Sequence, residues 1–110
     1  MRAPLSSAAA LLLRSLLART GLDQDRVKVG KVRSVDWQSL TFTGERHEIF
    51  LRLLGPQANA AQARLRAGLG EVEWQLAGHI VADIVIVGEQ QHDDGSITIL
   101  IEALTLHDAP

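Results

Sequence analysis

Cysteine is absent from this chain of 110 residues. Disulfides, thiolate nucleophiles, zinc ribbons and thiolate-held clusters are excluded with it. A reducing compartment suits such a chain, and a cytoplasmic location is the matching expectation. Tyrosine is absent too, which removes one common acid–base group. Aromatic residues amount to 4%, so the core has to be built from Leu, Ile, Val and Ala. Lysine occurs only as Lys28 and Lys31, and the Arg-heavy usage points to a GC-rich bacterial coding sequence.

Apolar residues make up 46% and charged residues 22%, which is a globular composition and not a disordered one. The length is that of one ordinary domain, and a single domain over 1–110 is expected. No repeat, linker or low-complexity stretch divides it.

Basic residues are missing from the last third. Residues 67–110 hold eight acids and no Lys or Arg, whereas residues 1–33 hold seven basic groups and two acids. The net charge is nevertheless only −2. The simplest expectation is that the two ends fold together and neutralise each other.

The segment from Met1 to Gly21 has no acid and carries Arg2, Arg14 and Arg19. That resembles a targeting peptide in composition. Arg14 interrupts the apolar stretch Ala8 to Leu13 after six residues, which is too short for a membrane span. Leu5, Ala9, Leu12, Leu13, Leu16 and Leu17 recur at three- and four-residue spacing, so the segment reads as a structural helix over about Ser6 to Thr20. Gly21 and Leu22 suit its end.

Val27 to Phe42 is rich in strand formers, but its alternation slips near Gly30, where a bulge would explain the slip. Thr43 to Arg46 reads as a turn and His47 to Leu54 as a strand. Gly55 and Pro56 open a second helix bearing Ala58, Ala61, Leu65 and Leu69 on one side. Val72, Trp74 and Leu76 alternate with polar residues, and Ile80–Val87 and Ile97–Leu106 are strands. Asp94-Gly95 reads as a two-residue hairpin turn. The fold class is α+β, in the order α-β-β-α-β-β, with two helices on one face of an antiparallel sheet.

The hairpin register sorts the sheet into two faces. A two-residue turn sets Ile84 opposite Thr105 and Ile86 opposite Ala103. One face then carries Ile80, Ala82, Ile84, Ile86, Ile97, Ile99 and Ile101, joined by Ile49, Leu51 and Leu53, and it forms the platform for the helices. The other face carries Val81, Val85, Val87, Leu100, Leu104 and Leu106, with Phe50 and Leu54. An apolar patch of that size marks an interface or a groove. A homodimer packed through this face is the leading expectation, since two-fold dimers are the commonest oligomers. Asp83, Glu102 and Arg52 fall among these hydrocarbon groups. They read as a structural ion pair or as the polar floor of a small-molecule pocket.

Other chemistry finds little support. The four histidines His47, His79, His92 and His107 lack metal-binding spacing, and His92-Asp93-Asp94 reads as a solvated hairpin tip. No metal and no cofactor is expected. Gly68-Leu69-Gly70 precedes a strand and not a helix, so it is no dinucleotide fingerprint. Gly30-Lys31 lacks the rest of a phosphate loop, and no serine stands in a nucleophile-elbow context. Arg26, Lys28, Lys31 and Arg33 are the best case for a nucleic-acid surface. They lack interleaved aromatics and read more simply as an edge strand guarded by cations. The overall expectation is a non-catalytic, self-associating module, with a pocket near Asp83, Glu102 and Arg52 and a nucleic-acid surface at 26–33 as the alternatives.

Overall fold

A computed structural model describes residues 4–108. The part of the targeting-like segment at residues 1–3 lies outside them. The element order is α1 (Ser7–Thr20), β1 (Val27–Gln38), β2 (Thr43–Leu53), α2 (Ala58–Arg66), β3 (His79–Gln91) and β4 (Ile97–His107), with one-turn 3-10 helices at Gln24–Arg26 and Leu69–Glu71. The four strands form one antiparallel sheet in the order β1-β2-β4-β3. This is the α+β arrangement that the sequence pattern implies.

Local chemistry fixes the helix ends. The Ser6 hydroxyl accepts from the Ala9 N–H at 3.1 Å, satisfying one orphan donor of the first turn of α1. Gly21 closes the helix, and its N–H donates to the Ala18 carbonyl. Leu12 and Leu16 are fully buried, as the helical spacing requires. α1 lies over β1 and β2, and α2 lies over β2 and β4. Beneath them Ile49, Leu51, Leu53, Ile97, Ile99 and Ile101 form the floor of the core. Trp74, Leu76 and Leu69 complete the cover on the β3 side.

Several expectations about connections change. Val72 to Gln75 forms no strand, and the segment has one isolated bridge, Leu76 to His79. The β1–β2 turn falls at residues 39–42, where the Ser39 N–H donates to the Phe42 carbonyl, so Thr43 to Arg46 is strand and not turn. Gly44 is needed for a different reason: a Cβ there would stand 1.9 Å from the Thr105 carbonyl oxygen on the neighbouring strand. The β3–β4 loop is longer than two residues. His92 N–H donates to the Ser96 carbonyl, and Gly95 turns the chain at φ 85°.

Bulges then reset the register. β1 bulges between Val29 and Val32, at the Gly30-Lys31 position where the alternation slips. β3 shifts twice, between Val81 and Asp83 and between Ile86 and Gly88. Ile84 therefore pairs with Ala103, and Ile86 with Ile101. The longer loop and the shift between Ile86 and Gly88 together move the register by two residues, which keeps Ile84 and Ile86 on the helix face. The shift between Val81 and Asp83 exchanges the faces of the residues before it. Ile80, expected under the helices, pairs with Leu106 on the open face, and Val81, expected on the open face, packs against the core.

Both edge strands carry these irregularities, and β1 adds Lys31 at its bulge. Bulges and edge cations blunt a sheet edge against strand addition. The expected neutralisation of the two chain ends does not occur by pairing: basic β1 and acidic β3 lie at opposite edges of the sheet.

Candidate functional site

Among the described residues, the face of the sheet turned away from α1 and α2 has no second layer. Its side chains fall into five cross-strand rows, read from β1 to β3. The first is Trp37, Gly44, Leu106 and Ile80. Val35, Arg46, Leu104 and Asp83 form the second. The third is Arg33, Glu48, Glu102 and Val85. In the fourth, the Gly30 bulge stands beside Phe50, followed by Leu100 and Gly88. Lys28, Arg52, Thr98 and Gln90 close the series.

Of the residues expected on this face, Phe50, Val85, Leu100, Leu104 and Leu106 are there. Val87 is exposed within the second bulge of β3, and Val81 is on the other side. Trp37, Val35 and Ile80 join the apolar set. Val85, Val35 and Ile80 are 44%, 43% and 46% exposed, while Phe50, Leu100, Leu104 and Leu106 are half-buried by their neighbours. The sequence pattern left Trp37 and Val35 out because their strand is interrupted by the bulge.

Asp83, Glu102 and Arg52 share this face without forming one cluster. Arg52 belongs to the outermost row, where its guanidinium meets the Asp94 carboxylate at 3.2 Å and donates to the Ser96 hydroxyl at 3.0 Å. Its expected pairing with Asp83 or Glu102 is therefore replaced by a pairing at the hairpin loop. The Ser96 hydroxyl and N–H donate to Asp94, and with Arg52 they hold its carboxyl below the usual range. Glu102 instead faces Glu48 directly across β2 and β4. Like charges so placed repel. Arg33 meets Glu48 at 3.7 Å, whereas among the described residues neither Glu102 nor Arg46 forms an ion pair. A depression of about 200 Å³ is lined here by Arg33, Val35, Arg46, Glu48 and Glu102.

The basic set at the chain's first strand is dispersed. Lys28 and Arg33 point to the open face, Arg33 engages Glu48, and Lys31 sits in the bulge. Arg26 precedes β1 in a 3-10 turn.

A polar line crosses the other face. His47 is 1% exposed. Its Nδ1 is 2.7 Å from Ser34 Oγ on β1, and its Nε2 is 2.8 Å from Thr105 Oγ1 on β4. Burial lowers the His47 pKa; Glu45 opposes that effect, and His79 adds to it. Sequence reading weighed His47 only as a metal ligand, because nothing in the spacing of Ser34, His47 and Thr105 announces that three strands bring them together. Among the described residues no group of His and carboxylates is arranged to hold a metal, and no helix is long and apolar enough to cross a membrane.

Comparison with family models, with curated proteins and with solved structures returned no match.

Proposed function

We propose that the protein is a non-catalytic self-association module whose open sheet face packs against a second copy of the chain. One observation carries this reading: eight apolar side chains, among them Phe50, Leu100, Leu104 and Val85, lie on a face that no element among the described residues covers. Covering apolar surface is worth about 25 cal/mol per Å², so even a few hundred Å² gives several kcal/mol. The charged groups on the same face suit a partner that separates and refolds independently, since interfaces of that kind are about as polar as ordinary surface. The lack of cysteine fits an association that operates in the cytoplasm.

A small-molecule pocket is the weaker reading. The depression beside Glu48 and Glu102 has about 200 Å³, below the roughly 300–1,000 Å³ of ordinary ligand sites. Arg52, expected at its floor, is held by Asp94 instead.

Light scattering coupled to size-exclusion chromatography tests the proposal. The wild-type chain is expected to run as a dimer, and Leu100→Asp as a monomer with an unchanged circular-dichroism spectrum. A wild-type monomer at high concentration, or a Leu100→Asp dimer, would overturn it.

A further inference from the structure

We infer that the two copies meet around a two-fold axis that crosses the strands, passing between the row of Arg46 and the row of Glu48. The inference rests on the proposed self-association and adds its geometry.

Two in-plane axes are open to a pair of facing sheets. An axis along the strands would lay each row on the same row of the partner, with β1 over β3 and β2 over β4. Glu48 would then face Glu102 of the second copy, and four carboxylates would gather at the centre of a drying interface. Arg33 accompanies only Glu48, so Glu102 of each copy would be desolvated without a partner beside like charges, which is costly.

An axis across the strands reverses the row order instead. Each strand then lies over its own counterpart, in the opposite direction. The row of Arg46 falls on the row of Glu48. Among the described residues Arg46 has no ion pair, and the facing pair Glu48 and Glu102 has only Arg33, which reaches Glu48. The unpaired cation of each copy is thus delivered to the under-compensated carboxylates of the other.

Shape agrees with charge. The same axis lays the first row on the fourth. At the sheet edges the first row carries Trp37 and Ile80, and the fourth carries the side-chain-free Gly30 and Gly88. Each large edge residue meets a gap, and Leu106 meets Leu100 between them. Rows are about 6.8 Å apart along a strand, and the usual 30° offset of stacked sheets displaces the edge strands by less than one row. The fifth row, Lys28, Arg52, Thr98 and Gln90, is wholly polar and falls at the rim, as an interface requires.

Stacked sheets stand about 10 Å apart, too far for a direct disulfide, so a short bis-maleimide is the suitable probe. The chain has no native cysteine to interfere. Chains carrying Ile80→Cys and Gly88→Cys are mixed and crosslinked, in parallel with a mixture of Ile80→Cys and Trp37→Cys. The 80-to-88 heterodimer is expected to dominate. A dominant 80-to-37 product, or a wild-type dimer giving no 80-to-88 product, overturns this axis and leaves self-association standing. A wild-type monomer removes the underlying reading instead. Charge exchange supplies a second readout on exposed positions. Arg46→Glu alone and Glu48→Arg alone are each expected to lose the dimer, and their equimolar mixture to regain it. Failure of the mixture to regain it counts against the axis.

Discussion

His47 Nε2 and Thr105 Oγ1 stand 2.8 Å apart, joining β2 to β4 by a side-chain hydrogen bond on the buried face. Ser34 closes the other end of the imidazole at 2.7 Å. A neutral ring donates at one nitrogen and accepts at the other, and two hydroxyls can answer both roles. Burial, with His79 nearby, favours that neutral form and lowers the pKa below the ordinary 6.5, against the pull of Glu45.

A pH dependence follows. The unfolded chain binds the His47 proton more tightly than the folded one, so stability falls as pH drops below about 6.5 and levels off once the folded-state value is passed. Above that range His47 contributes no slope. Denaturant titrations from about pH 8 to about pH 5 are expected to show this decline, and His47→Gln is expected to flatten it. An equal slope in the variant would assign the effect to other groups.

Gly44→Ala is expected to be strongly destabilising. Its Cβ would lie 1.9 Å from the Thr105 carbonyl oxygen, a backbone atom that cannot turn aside. Overpacking commonly costs about 1–3 kcal/mol, and a backbone clash belongs at the upper end or beyond. Chemical denaturation measures it directly. A loss near zero would mean that the two strands separate there easily.

Leu51→Ala should cost about 2–5 kcal/mol, because Leu51 is fully buried between the helices and the sheet. The proposed dimer should persist at temperatures well below the melt, since Leu51 points away from the open face. Light scattering on the same samples separates core damage from interface damage.

Binding to a DNA duplex is expected to be weak and to vanish at moderate salt. Arg33 is engaged with Glu48, and Lys31 stands apart in the bulge, so few cations can reach one phosphate track together. Neutralising Lys28 and Lys31 should change retention on a polyanion column little. Tight, salt-resistant retention that both substitutions abolish would restore the nucleic-acid reading.

Much of the architecture is legible in the chain. The spacing of Leu12 and Leu16 announces α1, Gly21 its end, and Gly30 the first bulge. The runs around Ile84 and Ile99 announce two strands. The two irregularities of β3 are not legible. Val81, Val85 and Val87 are aliphatic whichever face they take, so hydropathy carries no mark of where an extra residue enters. That is why Ile80 and Val81 exchange places. Gly44 reads as a turn residue because glycine serves both turns and close strand contacts, and only the strand pairing distinguishes them. Arg52 could be placed on the open face, but its partner Asp94 depends on the loop geometry that the Asp94-Gly95 pair alone misstates. The ladder from Ser34 through His47 to Thr105 is a product of three-strand topology, which no local spacing encodes.

The irregular outer strands have a consequence for how large an assembly can become. Neither side of the sheet offers a straight template on which another strand could be laid, so lateral growth into ribbons is blocked. Above the plane the helices already form a roof. Only the floor is left open in the sheet, and in the proposed pairing a second floor covers it, so the sheet itself offers no further face to a third copy. In the proposed pairing, growth through the sheet therefore stops at two.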